Sequence, residues 1–236
     1  MVEKALLKNP IILALDVDTL SEVRQILEQV GDLVGAIKLG PRLVYRYGAD
    51  FVAQCASIAP VFVDNKYFDI PSTMVAAIKA SFEAGATLAT VHAMSGREAL
   101  MALAKLENEL NKIRPFKILA VTILTSWDES SYPPVMQQKP VSDHVCVLAK
   151  LVQDCGLSGV VCSAHELELL KDFDLYKVTP GIRPKSSSVD DQKRVMNPLS
   201  AINAGAAALV IGRPILENPN PKQVIIDILQ ELGYDI

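Results

Sequence analysis

Short apolar runs recur along the chain, and each is followed by a longer stretch whose apolar residues return at helical spacing. The runs are Ile11 to Asp16, Val34 to Gly40, Val61 to Lys66, Thr87 to His92, Lys117 to Leu124, Ser158 to Cys162, Tyr176 to Pro180 and Ala208 to Gly212. Their length and their β-branched content read as strands buried on both faces. Between them, helical spacing predicts a first helix to Val30 with Ser21 as its N-cap, then helices over Pro41 to Ala56, Thr73 to Ala84 and Gly96 to Asn111. Four more are predicted over Asp143 to Asp154, Ala164 to Lys171, Asn197 to Gly205 and Pro221 to Leu232.

Buried strands alternating with amphipathic helices imply a parallel sheet with crossover helices. Eight such units in 236 residues fit a closed (β/α)8 TIM barrel better than an open sheet. A doubly wound sheet is the alternative, but no GxGxxG follows an early strand. With no linker or low-complexity tract in the sequence, residues 1–236 are expected to form a single α/β domain.

The placement of polar residues sharpens this expectation. Asp16, Lys38, Asp64, Lys66, His92, Thr125 and Arg213 each stand at or just past the end of an apolar run. Barrel enzymes build their active sites at that carboxyl face. A solvated surface does not explain seven polar residues at the ends of six different runs.

Composition removes several classes of function. A net charge of −4 gives no reason to expect nucleic acid, so an anionic ligand must be held by local positive groups. No apolar stretch reaches the eighteen or so residues of a membrane helix, so no membrane partner is expected. Met1 to Lys4 lack the layout of a signal peptide. Cys55, Cys146, Cys155 and Cys162 show no metal-ligand spacing and no CxxC, which suits reduced thiols in a cytoplasmic protein. No His/Glu/Asp cluster calls for a metal, and no cofactor is expected.

The densest chemistry lies in Val61 to Thr73, where an apolar run leads into three ionisable residues. On a strand Asp64 and Lys66 share a face, while Asp69 lies past the strand end near Pro71. A surface ion pair is the ordinary reading of Asp-x-Lys. The apolar residues ahead of it argue for burial, where such a pair must be mutually satisfied or do chemistry. Asp64-x-Lys66-x-x-Asp69-Ile70-Pro71-x-Thr73 resembles the signature of the orotidine 5'-monophosphate decarboxylase family. Its Asp-x-Lys-x-x-Asp part is shared by a wider suprafamily of phosphate-binding barrels.

The resemblance spans nearly the whole chain, from Leu15-Asp16 to Gly212-Arg213. It implies cofactor-independent decarboxylation of orotidine 5'-monophosphate to uridine 5'-monophosphate, the last step of de novo pyrimidine synthesis. Lys38, Asp64, Lys66 and Asp69 would form an alternating charged array, with Asp64 against the substrate carboxylate and Lys66 protonating carbon 6. It also implies a homodimer in which Asp69, Ile70 and Thr73 reach the partner's site.

Thr179-Pro180-Gly181-Ile182-Arg183-Pro184 and Gly212-Arg213-Pro214 close the last two runs, where barrels commonly hold phosphate. Pro180, Arg183, Gly212 and Arg213 are therefore candidate phosphate-binding residues. Within the polar stretch between these runs, Gln192 matches a family glutamine on a lid that bridges phosphate and pyrimidine. Asp16 suits a ribose hydroxyl, and Thr125 matches a family residue near the ribose. His92 could be taken for a general base, but the family uses no histidine in that role, so it is read as structural or as supporting the site from behind, and His144 and His165 as surface residues. The alternatives are a metal-dependent sugar-phosphate decarboxylase or aldolase of the same suprafamily, and a silent binding barrel. The first would carry an acid where Lys38 stands, and the second would be expected to have lost one of the four charged residues.

Overall fold

The computed structural model describes residues 6–127, 132–136, 139–184 and 196–235. Eight parallel strands close on themselves in sequence order: β1 (Ile11–Ala14), β2 (Ala36–Leu39), β3 (Val61–Tyr67), β4 (Ala86–His92), β5 (Lys117–Val121), β6 (Gly159–Val161), β7 (Tyr176–Pro180) and β8 (Ala208–Ile211). β8 returns to pair with β1, with Ile11 opposite Leu209 and Leu13 opposite Ile211. The helices among the described residues are α1 (Leu20–Val30), α2 (Pro41–Ala56), α3 (Pro71–Glu83), α4 (Arg97–Leu110), α5 (Val141–Asp154), α6 (Pro198–Asn203), α7 (Arg213–Leu216) and α8 (Pro221–Glu231). This is the expected TIM barrel. Among the described residues no helix is long and apolar enough to cross a membrane.

Side chains alternate between the two faces of each strand and so build two apolar layers. Ile12, Ala36, Phe62, Leu88, Leu119, Val178 and Ala208 fill the barrel interior. Their neighbours Ile11, Leu13, Ile37, Val61, Val63, Ala89, Ile118, Ala120 and Leu209 face the helices. The interior layer plugs the barrel below its carboxyl end, with Phe62, 1% exposed, among the residues of the floor. Truncating such a residue to alanine costs about 3–5 kcal/mol.

Two expectations need correction, and one further element differs. The N-cap of α1 is Thr19, not Ser21: its hydroxyl accepts from the Glu22 amide, and Glu22 reaches back to the Thr19 amide. That is the reciprocal Thr-x-x-Glu capping box, which satisfies two otherwise open donors where a lone serine satisfies one. The helix expected over Ala164 to Lys171 is a single 3-10 turn, Ala164–Glu166, followed by further turns. In this stretch Glu166 is spent on capping Ser163. The third difference is α7, a one-turn helix at Arg213 that periodicity cannot detect in four residues.

Candidate active site

The carboxyl ends of the strands surround a cavity of about 220 Å³. It gathers residues from seven strands or the loops after them, among them Asp16, Lys38, Asp64, Lys66, Thr125, Pro180, Arg183, Gly212 and Arg213. Nine of the sequence candidates therefore converge on one opening.

The charged side chains form a chain of alternating sign across its floor. Asp16 Oδ1 lies 3.6 Å from Lys38 Nζ, which lies 3.5 Å from Asp64 Oδ2. Lys66 Nζ donates to Asp64 Oδ1 at 2.9 Å. Burial of Asp64 works to raise its pKa. The ammonium groups of Lys38 and Lys66, together with hydrogen bonds from Lys66 and Thr90, outweigh it and hold the carboxyl below its ordinary value. The arrangement thus keeps a carboxylate ionised between two cations while Lys66 keeps partial access to the cavity, with 38% of its side chain exposed.

Strand geometry makes this contact possible. Val63 pairs with Ala89 and Tyr67 with Val91, so β3 advances four residues while β4 advances two. The extra residues bulge at Asp64 to Lys66. Lys66 has φ of 48°, the one positive value at a non-glycine position among the described residues. Bulges of this kind re-aim side chains beside active sites, and a left-handed lysine costs free energy that its surroundings must offset. Thr90, wholly buried on β4, sits across from the bulge. Its hydroxyl accepts from the Lys66 amide at 2.8 Å and donates to Asp64 Oδ1 at 3.0 Å. Sequence reasoning passed over Thr90, because nothing local marks a strand threonine as facing a bulge in the next strand.

The loops after β7 and β8 border the same cavity and bring Arg183 and Arg213 to its lining. Gly181 (φ 80°) turns the chain out of β7, and the Arg183 amide donates to Met196 O at 3.0 Å, pinning the chain ends on either side of residues 185–195. Arg183 is buried and donates to the Ile182 carbonyl. Gly212 leads from β8 into α7. The Gly212 Cα lies close to β1 and to the acid that follows it: a Cβ there would stand 3.4 Å from the Ala14 Cβ and 3.7 Å from Asp16 Oδ2, in ordinary van der Waals contact.

The remaining candidates lie elsewhere. Asp69, Ile70 and Thr73 are exposed at the entrance to α3 and do not line the cavity of their own chain, and Asp69 Oδ1 accepts from the Ile70 amide at 2.7 Å. Gln192 lies outside the described residues. His92 is buried against Phe68, and its Nδ1 accepts from the Met94 amide at 3.3 Å. Burial, and then the charge of Lys66, lower its pKa, which favours the neutral ring. His165 is exposed, but His144 is half-buried, with Nε2 2.9 Å from Met136 O and its ring against Tyr132. Its reading as a surface residue therefore does not hold. The four cysteines are free thiols. Among the described residues no group of three or more His, Cys, Asp or Glu side chains is arranged to hold a metal ion.

Comparison with known proteins agrees with this geometry. Residues 9–228 match the orotidine 5'-phosphate decarboxylase / HUMPS family. The orotidine 5'-phosphate decarboxylase of Trichlorobacter lovleyi is 40% identical over 230 residues, covering 95% of each chain. That of Vibrio cholerae is 37% identical over 226 residues, covering 94% of this chain and 97% of its own. A crystal structure of orotidine 5'-phosphate decarboxylase from Lactobacillus acidophilus superposes with a TM-score of 0.83 at 32% identity, over 96% of this chain and all of that one. The chain belongs to the orotidine 5'-phosphate decarboxylase / HUMPS family.

Proposed function

We propose that the chain, acting as one catalytic domain, decarboxylates orotidine 5'-monophosphate to uridine 5'-monophosphate in pyrimidine biosynthesis without a cofactor, and that Lys66 supplies the proton. The observation that carries this reading is the Lys38–Asp64–Lys66 array lining one cavity together with the two strand-end loops of Arg183 and Arg213. Family membership and the names of the relatives support the same substrate.

The phosphate is held by Arg213 with Pro180, Arg183 and Gly212, and the ribose by Asp16 and Thr125. The substrate carboxylate lies against Asp64. When the bond from carbon 6 to the carboxylate breaks, its electron pair stays on carbon and carbon dioxide departs. The Lys66 ammonium then transfers a proton to carbon 6, and the amine is reprotonated from solvent. Fixed charges aimed at the developing carbanion lower the barrier without reorganisation. Gln192, outside the described residues, is by family resemblance the expected link between phosphate and pyrimidine.

The working unit in this reading is a cytoplasmic homodimer in which Asp69, Ile70 and Thr73 complete the partner's array. Two features support it: these residues do not line their own cavity, and the apolar Phe68 and Ile70 flanking Asp69 are 62% and 64% exposed. An absorbance assay with orotidine 5'-monophosphate tests the function directly. Turnover that survives exhaustive chelation is expected. No turnover, or turnover lost on chelation and restored by magnesium, sinks the reading in favour of a metal-dependent sugar-phosphate enzyme.

A further inference from the structure

We propose that Thr90 is a positioning residue for the decarboxylation, its hydroxyl fixing the bulged backbone of Lys66 and the Asp64 carboxylate in one relative geometry. This rests on the proposed role of Lys66. Three observations meet at this side chain. The two-residue gain of β3 over β4 falls between Ala89 and Val91, directly opposite Thr90. Lys66, the proton donor of that reading, carries the left-handed backbone conformation. A bulge takes amides out of the strand ladder, and the Thr90 hydroxyl receives the Lys66 amide at 2.8 Å.

A hydroxyl has one proton to give. With its oxygen engaged by the Lys66 amide, Thr90 donates at 3.0 Å to Asp64 Oδ1, the same oxygen that Lys66 Nζ reaches at 2.9 Å. The lysine is thereby tied at both ends: its amide is bonded to Thr90, and its ammonium to a carboxylate that Thr90 orients. Thr90 is 0% exposed and does not line the cavity, so it touches neither substrate nor the reacting atoms and acts through its two neighbours. Valine reproduces its shape and removes both bonds, whereas serine keeps both and removes only a methyl group.

The test compares Thr90→Val and Thr90→Ser in the full-length protein. In Thr90→Val, kcat for orotidine 5'-monophosphate is expected to fall about 10- to 100-fold while KM changes less than about 3-fold, because phosphate and ribose contacts are untouched. Thr90→Ser should return kcat to within about 3-fold of wild type. A residue that merely filled space would show the opposite order, since valine keeps the volume.

A readout independent of turnover is the Asp64 carboxyl followed by carbon-13 NMR. The charged and titratable groups around it are Lys38 and Lys66, with Asp16 beyond Lys38 and the His92 imidazole within the field of Lys66. Loss of the Thr90 hydrogen bond moves the Asp64 titration upward in Thr90→Val, and Thr90→Ser restores it. If wild type has no decarboxylase activity but the titration moves as stated, the functional reading falls and the positioning geometry stands. If Thr90→Val keeps both wild-type kcat and the wild-type titration, Thr90 positions nothing.

Discussion

Both ends of the barrel bury charge, and they satisfy it in opposite ways. At the amino end, Glu107 of α4 is 4% exposed. One of its oxygens accepts the Ile118 amide at 2.6 Å, and the other accepts the Ser158 hydroxyl at 3.0 Å. Lys117 donates to that same serine. Nearby, the Arg114 guanidinium bonds the carbonyls of Phe82 and Ala86 and lies over the Phe82 ring. These charges are spent on ends of chain that would otherwise be unpaired. At the carboxyl end, Asp64 and its two lysines bond chiefly to one another and border a cavity. The amino-end cavity is the larger, about 740 Å³ against about 220 Å³, yet its polar groups are arranged as architecture. How buried charge is paired, more than the size of an opening, separates a site from a support.

The largest effect that would sharpen this contrast is on turnover. Lys66→Ala is expected to lower kcat by about 10³-fold or more, while uridine 5'-monophosphate still binds. Glu107→Gln, at the other end, should leave kcat within about 2-fold of wild type. A Lys66→Ala enzyme retaining more than about a tenth of wild-type kcat removes the proton-donor role, since that corresponds to under roughly 1.4 kcal/mol of barrier.

Arg213→Ala should act on binding, raising KM for the nucleotide about 10- to 100-fold through loss of a charge-assisted contact to phosphate. Some loss of kcat is compatible with this, because remote phosphate binding also drives closure. An unchanged KM would move the phosphate away from the end of β8.

The proposed homodimer makes a further difference between the two ends testable. If Asp69 joins the carboxyl-end array by way of a partner, Lys66→Ala and Asp69→Ala damage different chains of the same site. In a hybrid dimer, one site carries both lesions and the other carries neither. Random reassortment of equal amounts makes about half the dimers hybrids, so about a quarter of wild-type activity should reappear when the two inactive variants are mixed under mild denaturant. Hybrids that form and stay inactive would place both residues in one chain's site.

Much of this contrast is legible in the sequence, and its limits have physical causes. The buried strands announce themselves as apolar runs, and the carboxyl-end residues follow because a parallel barrel brings every strand end to one face. The Thr19-x-x-Glu22 cap was equally available as a local signal and outranks the isolated Ser21. Thr90 and Glu107 were not available. Glu107 looks like any acid on an amphipathic helix, and its role depends on the amides of β5 arriving beneath it. Thr90 matters because β3 gains two residues on β4, a register shift fixed by packing around the whole barrel and not by either strand's pattern.

The smallest expected effect is on stability, and there the two ends differ in sign. Burial raises the pKa of Glu107, against the partial opposition of the Ile118 and Ser158 hydrogen bonds. A raised acid binds its proton more tightly in the folded state, so its contribution is fully present below the unfolded value, about 4.3, and is lost as pH rises through the folded value. Asp64 is the reverse: burial is outweighed by Lys38 and Lys66, its pKa is lowered, and its contribution is present above about 3.9 and lost as pH falls through the lower folded value. Glu107→Gln should therefore flatten stability against pH on the side above about 4.3, gaining on wild type as pH rises. Gln keeps an acceptor for the Ile118 amide, while its amide group can donate to the Ser158 oxygen. Asp64→Asn should lose most relative to wild type near neutrality, where two ammonium groups are left facing an uncharged amide, and should converge with wild type in acid. Urea titrations of the three proteins at a series of pH values measure this. Parallel curves for Glu107→Gln and wild type above pH 4.3 would mean that Glu107 is not a strained, buried acid, and the contrast between the two ends would then reduce to geometry alone.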